Sequence, residues 1–177
     1  CVSHLCERKG QEWALRSFPA ILARHPDAHL CFAGRTDREP AYTALLQATI
    51  DRMRLADHVH LLGFRDDVSS LLRSADLLVH TAVEDPHPRS VLEAMIAGVP
   101  VAAFAVDGVA ETVADGVTGR LVPERDPDAL AAAVSEMLSD PGASRRMGSA
   151  AFDLARTRFS DEATANRIAQ LITLELN

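Results

Sequence analysis

Residues 77–104 constrain the fold of this chain more than any other stretch. A short apolar run, Leu77-Leu78-Val79-His80, gives way to a polar loop, Glu84-Asp85-Pro86-His87-Pro88, with two acidic residues and two prolines. A helix is expected to open near Arg89 and close on Ala97-Gly98, and Val101-Ala102-Ala103-Phe104 reads as the next buried strand. Strand, polar loop, helix, glycine and strand make a βαβ unit. In sheets built from such units, ligands sit outside the carboxyl ends of the strands, where loops meet helix N-termini. Asp85 and Glu93 flank that place.

The same alternation runs through the rest of the chain. Residues 1–5 read as a first strand, followed by the charged loop Glu7-Arg8-Lys9-Gly10. Leu15, Phe18 and Leu22 recur at helical spacing, with Trp13 and Ile21 beside them, which predicts a helix over 11–24. A strand over 29–33 leaves through Gly34-Arg35. Tyr42, Leu45, Leu46, Ile50 and Met53 mark a helix. A strand over 59–62 leaves through Gly63-Phe64-Arg65, and Asp66 or Asp67 is expected to cap a small helix over 68–73. Beyond 101–104 come a short helix around 111–113, a strand over 119–122 and an amphipathic helix over 127–138. Pro141-Gly142 reads as a break before two last helices, 144–157 and 161–176. Alternation of this kind predicts an α/β fold, a doubly wound, Rossmann-like parallel sheet covered on both faces, with extra C-terminal helices. At 177 residues the chain is expected to be a single domain over 1–177. Its start at Cys1, inside an expected strand, reads as a piece of a longer protein.

Charge and cysteine usage remove several function classes. A formal net charge of −7 argues against a nucleic-acid partner, which needs a basic face. Three cysteines without a CxxC pair argue against a disulfide framework or a zinc ribbon, and Cys1, His4 and Cys6 read as core or surface residues, not metal ligands. Reduced cysteines and the lack of an apolar run of roughly 20 residues point to a cytoplasmic protein with no transmembrane segment. No GxGxxG opens the first helix, and neither GxxxxGK[ST] nor GxSxG occurs.

One regularity points to function. Lys9, Arg35, Arg65, Asp85 with Arg89, and Asp107 with Glu111 follow successive strands. In a parallel sheet those exits share one edge, so an acidic protein places cations where helix N-termini also point, as a phosphorylated ligand requires. The plainer reading is that polar residues prefer loops.

The ordered series Lys9-Gly10, Phe32-Ala33-Gly34, Leu62-Gly63-Phe64, Ser74-Ala75-Asp76, Leu92-Glu93-Ala94-Met95, Gly98-Val99-Pro100-Val101 and Glu111 with Asp115-Gly116-Val117-Thr118-Gly119 resembles the carboxy-terminal half of the retaining group 1 glycosyltransferases of the GT-B fold. The resemblance implies a nucleotide-sugar donor as substrate, no cofactor and no metal. It also implies a separate amino-terminal acceptor domain with no counterpart here, and any peripheral membrane contact would belong to the full protein. Asp85 and Glu93, with seven residues between them, match the family's E-x7-E signature. The match implies that Glu93 meets the ribose hydroxyls and Asp85 the donor sugar, each carboxylate accepting from hydroxyls. Ser90-Val91-Leu92-Glu93 also fits an S-x-x-E capping box, in which Glu93 only ties down the helix start. Within the resemblance, Ser90 and Val91 offer backbone N–H groups to the diphosphate beside Arg89, Lys9 stabilises the leaving nucleotide, and Gly63, Phe64 and Arg65 lie beside the base.

Four places depart from the family pattern, one of them His87, which stands where Phe is usual. Ser3 and His4 stand where Gly-Arg is usual, and a histidine with an ordinary pKa of about 6.5 is largely neutral at pH 7. Asp85 replaces the first Glu, which shortens the reach by about 1.5 Å. Asp107-Gly108 replaces Gly-Gly and adds a carboxylate expected to face the sugar or phosphate. The leading expectation is a donor-binding domain that works when joined to its acceptor half and is inactive alone. The alternative is a non-catalytic nucleotide-sugar binding module of the same fold.

Overall fold

The computed structural model describes residues 1–160, 162–165 and 168–169. Its five strands are β1 (Leu30–Ala33), β2 (Val59–Gly63), β3 (Leu78–His80), β4 (Val101–Phe104) and β5 (Gly119–Val122). The helices that can be bounded among the described residues are α1 (Gln11–Leu22), α2 (Pro40–Arg52), α3 (Val68–Arg73), α4 (Arg89–Ile96), α5 (Asp107–Thr112), α6 (Pro127–Ser139) and α7 (Pro141–Arg158), and a 3-10 turn, Glu7–Lys9, precedes α1. All strand pairs are parallel, with Leu30 opposite Val59, Leu78 opposite Val101 and Val101 opposite Gly119. The α/β architecture with a parallel sheet is thus as the alternation predicts.

The hydrogen-bonded ladders form two groups, β1–β2 and β3–β4–β5. Residues 1–5 do not make a regular strand. They run beside β1 with a single bridge, Val2 opposite Ala33, and with Ser3 N–H donating to Ala33 O and Leu5 N–H to Arg35 O. On the other side an apolar cavity of about 340 Å³ separates Cys1 and Val2 from β3. That one isolated bridge is too little to register as a strand. The Cys1 amino group donates to Cys31 O in this cavity wall, and burial pushes its pKa down to about 6.

The core follows from composition. Every residue of β4 is fully buried, as a central parallel strand requires. α4 buries Val91, Ala94 and Met95, one face at i, i+3, i+4, against this strand. α1 packs on α6 and α4 on α7, which closes the two faces.

Several local expectations need correction. Asp67 does not cap α3, because Arg65 holds both its oxygens at 2.8 and 2.6 Å. The break expected at Pro141-Gly142 falls just before it, between Ser139 and Pro141, and Pro141 already starts α7. It occupies the first turn, where a missing N–H costs nothing, and Asp140 accepts from Ala143 N–H. The helix near Glu111 begins earlier, at Asp107. The helix expected over 161–176 lies largely outside the described residues. None of the described helices is long and apolar enough to cross a membrane.

Gly10 fixes how the first turn meets β3. Its φ is +61°, and a Cβ built there would sit 2.2 Å from Thr81 O. Gly63 has a similar φ, +66°, with open space around it. The two positions separate two costs. Gly63→Ala is expected to lose about 1–2 kcal/mol, from the left-handed conformation alone. Gly10→Ala adds a backbone clash worth about 1–3 kcal/mol more. Urea unfolding of the two variants checks the difference.

Candidate functional site

The carboxyl ends of the strands frame a cleft of about 540 Å³, within the usual range for small-molecule sites. The 3-10 turn places Lys9 on one wall. Three contacts strap that turn to the loop after β3: Val83 N–H donates to Arg8 O, Thr81 Oγ1 to Lys9 O, and Arg8 Nη1 to Glu84 O. The strap brings Lys9 Nζ within 2.5 Å of Asp85 Oδ2, with side-chain exposures of 13% and 8%. A pair this buried interacts far more strongly than a surface one, yet each charge has also lost water.

Asp85 is held from three sides. Its N–H donates to Asp107 Oδ2 at 3.0 Å. Asp107 is therefore engaged with the backbone and is absent from the cleft wall, contrary to the expectation that it faces the ligand. Behind Asp85, the Nε2 of His80 lies 3.1 Å from Oδ2. Burial alone would raise the Asp85 pKa. The His80 contact and the Lys9 ammonium outweigh it and hold the carboxyl well below the usual range, so it is ionised at neutral pH.

On the opposite wall α4 begins. Its start is set by Pro88 as N-cap, and no side chain caps it. The capping box does not form: Glu93 is exposed, lines the cleft and has no hydrogen-bond or ion-pair partner among the described residues. Of the first N–H groups, Arg89's goes to His87 O, and those of Val91 and Leu92 go to Pro88 O. Ser90 N–H is left without a protein acceptor among the described residues. Val91 does not line the cleft, because its side chain is fully buried and its N–H is taken.

The structure brings Lys9, Asp85, Arg89, Ser90 and Glu93 into one cleft. His4, Phe64 and Arg65 complete its far side, with Arg35 between them, whereas Gly63 is not part of the wall. Gly63 acts through its left-handed turn, which leaves Phe64 71% exposed. Arg35 and Arg65 are both braced by nearby carboxylates, Asp37 and Asp67. Asp107 and Glu111 lie outside the cleft wall, so the rim that sequence order predicts is formed by the cations and not by the last acidic pair. Partial burial, followed by the charges of Arg38, Arg35 and Lys9, pushes the His4 imidazole below its ordinary value and leaves it neutral at pH 7. Ser3 Oγ accepts from Gln11 Nε2, as does His4 O. Sequence reasoning missed Arg38, which also lines the cleft, and His80, which lies against Asp85, and it noted His87 only as a departure from the family pattern without placing it in the cleft wall, where it lies. A histidine ending an apolar strand five residues before Asp85 was the available signal for His80.

The sequence model of the family described as Glycosyl transferases group 1 matches residues 1–140. The chain is 30% identical over 189 aligned positions to a GDP-mannose-dependent alpha-(1-6)-phosphatidylinositol monomannoside mannosyltransferase of Mycolicibacterium smegmatis, covering 98% of this chain and 47% of that protein. It is 36% identical to an uncharacterized glycosyltransferase of Methanocaldococcus jannaschii, over 80% of this chain and 35% of that one. Among solved structures, Anabaena HepE in complex with UDP superposes with a TM-score of 0.87 at 29% identity, over 97% of this chain and 48% of that chain. The chain thus spans less than half the length of these relatives.

The buried pair generates a prediction of its own. Lys9→Met strands the Asp85 carboxylate and is expected to cost about 1–3 kcal/mol at pH 7. The double variant Lys9→Met/Asp85→Asn should recover most of that loss. A depressed carboxyl pKa contributes stability above the unfolded value of about 3.9, and that stability is lost as pH falls through the folded one. The gap between wild type and Lys9→Met should therefore narrow below about pH 4. Urea unfolding at pH 7 and in acid measures both effects.

Proposed function

This chain belongs to the group 1 glycosyltransferases, and from that premise we propose that it is the nucleotide-sugar donor domain of a retaining enzyme. The observation that carries the reading is the unengaged Glu93 carboxylate, which shares one cleft with the free Ser90 N–H and with Lys9. A vicinal diol suits the first, and a diphosphate suits the other two. In this reading Glu93 accepts from the ribose hydroxyls. Ser90 N–H and the positive end of α4 take a phosphate oxygen. Lys9 keeps two N–H donors beyond its bond to Asp85 and directs them at the charge that grows on the departing diphosphate. Asp85, ionised and fixed, accepts from hydroxyls of the sugar. Phe64 and Arg65 lie where the base would stack and bond, and Arg89 and Arg35 add positive field. The chemistry asks for no metal, because charge on the leaving group is met by Lys9 and the helix.

The donor class has support from relatives. The Mycolicibacterium protein is named as GDP-mannose-dependent, and HepE is described with UDP and with UDP-glucose. The acceptor and its domain would lie across the cleft, and the full reaction would need both halves. A second reading, a nucleotide-sugar binding module without catalysis, is favoured by one observation: a neutral His4 and a hydroxyl-engaged Ser3 stand at the phosphate end. Restoring the cation with His4→Arg would raise transfer in a two-domain protein if that site limits catalysis.

Calorimetric titration with UDP, GDP and ADP tests the donor reading. One nucleotide is expected to bind saturably, unaffected by EDTA. Glu93→Ala should weaken it at least about tenfold, the cost of a hydrogen bond to a charged group, with an unchanged unfolding curve because Glu93 is exposed. Absence of binding to all three would overturn the donor assignment.

A further inference from the structure

His80 is the last residue of β3 and is only 4% exposed. No step of the proposed reaction uses it. A polar ring in such a place must meet partners or destabilise the fold. Its two nitrogens point at two different parts of the cleft. Nε2 lies 3.1 Å from Asp85 Oδ2 but off the line of a good hydrogen bond, and no other partner reaches it. Nδ1 lies 3.5 Å from Ser90 Oγ, in the first turn of α4. The Ser90 separation needs to close by a few tenths of an ångström, and the Asp85 contact, already at hydrogen-bond distance, needs only a small turn of the ring to bring Nε2–H into line.

We propose that His80 is a positioning residue for the donor cleft: one buried ring holds the carboxylate of Asp85 through Nε2 and the first turn of α4 through Ser90 and Nδ1. The inference rests on the donor-site reading. It assigns to His80 the coupling between the group that meets the sugar and the helix end that meets the phosphate.

The chemistry of the ring fixes its form. Asp85 is ionised and acceptor-only, so Nε2 must carry the proton. Nδ1 then accepts, and Ser90 Oγ–H donates. Burial pushes the imidazole pKa below its ordinary value, and the Asp85 carboxylate only partly opposes it. The charged groups facing the ring are Asp85, which favours the imidazolium, and Lys9 with the Cys1 amino group, which disfavour it. A neutral ring in the Nε2–H tautomer satisfies both neighbours. An imidazolium would instead have two donors, and Ser90 would have to turn its hydroxyl proton away. Lys9 and His80 thus both approach Asp85 Oδ2, one with a full charge and one with a neutral N–H. Oδ1 has no protein donor among the described residues.

Two measurements on this chain decide the matter. The first is a long-range 1H–15N correlation spectrum of protein labelled at histidine, with His80 assigned by its disappearance in His80→Phe. The expected pattern is the neutral Nε2–H tautomer from pH 6 to 8. An Nδ1–H tautomer, or an imidazolium at pH 7, overturns the proposal whatever the ligand data say. The second is the affinity for UDP and for UDP-glucose in wild type, His80→Phe and His80→Gln. The Phe ring keeps the volume and loses both contacts, whereas the Gln amide can place an N–H where Nε2 stood. UDP-glucose affinity should fall about tenfold in His80→Phe and stay near wild type in His80→Gln, with a smaller change for UDP. Equal loss for both ligands in both variants would mark a purely structural histidine and overturn the proposal. Unchanged affinity in His80→Phe would do the same. If wild type binds neither UDP nor UDP-glucose while the tautomer is as expected, the donor reading fails first and takes the positioning role with it.

Discussion

The site depends on the contact between Lys9 and Asp85, which joins segments 76 positions apart. Its importance comes from where it lies. The hydrogen-bonded ladders stop between the β1–β2 pair and the β3–β4–β5 group, with residues 1–5 pairing only toward β1. Along that seam the two halves are joined by helix packing, chiefly α1 on α6, and by the strap between the Glu7–Lys9 turn and residues 81–85. A ladder would fix the halves by many equivalent bonds. The strap fixes them by a few, all at the carboxyl end of the strands, where the cleft is. Gly10 is the hinge of this arrangement, because only a residue without Cβ lets the turn lie against Thr81 O. The ion pair is thus a poor general source of stability, given its desolvation cost, but an effective means of placing one ammonium and one carboxylate to within a fraction of an ångström.

The electrostatics of the molecule are local, not global. A net charge of −7 coexists with a cleft walled by Arg35, Arg38, Arg65, Arg89 and Lys9. Two of these arginines are braced by carboxylates two residues on, Arg35 by Asp37 and Arg65 by Asp67. Exposed pairs of this kind add little to stability. Their consequence is geometric: a guanidinium held in place at the mouth of the cleft retains N–H groups for a ligand and loses less entropy when it binds. The positive side chains are thus gathered at the cleft of a chain that is acidic overall.

Much of this was legible in the chain. The alternation of short aliphatic runs with amphipathic helices gave the parallel order, and β4 and β5 fell where the runs fell. Lys9 and Asp85 were legible because strand exits in a parallel sheet must share an edge, and Glu93 through the E-x7-E spacing that the family resemblance supplies. What failed was local chemistry with two good answers. Asp67 had a helix to cap and an arginine two residues back, and the charge won. Ser90 and Glu93 had capping-box spacing, but Pro88 already sets the helix start, and the box never closes. Pro141-Gly142 read as a break with the next helix starting at 144, whereas Asp140 caps that helix and Pro141 and Gly142 form its first turn. His80 went unread because a strand residue is judged by its neighbours in sequence, whereas its partners, Asp85 and Ser90, are brought to it by the loop.

The loop between β3 and α4 shows how far side chains replace backbone in this cleft. Prolines at 86 and 88 remove two N–H donors from a turn that would otherwise present a row of them. Arg89 N–H closes back on His87 O, and those of Val91 and Leu92 fold onto Pro88 O. Ser90 N–H is what remains of the helix's anion site. A phosphate held there would take one backbone bond and depend for the rest on Lys9 and the arginines, whose charges reach it through side chains with freedom to move. Recognition of that kind is more ionic than a glycine-rich nest would provide, and more sensitive to salt. It also places more demand on whatever fixes Lys9 and the first turn of α4 relative to each other, which in this structure is Asp85 with the ring of His80 behind it.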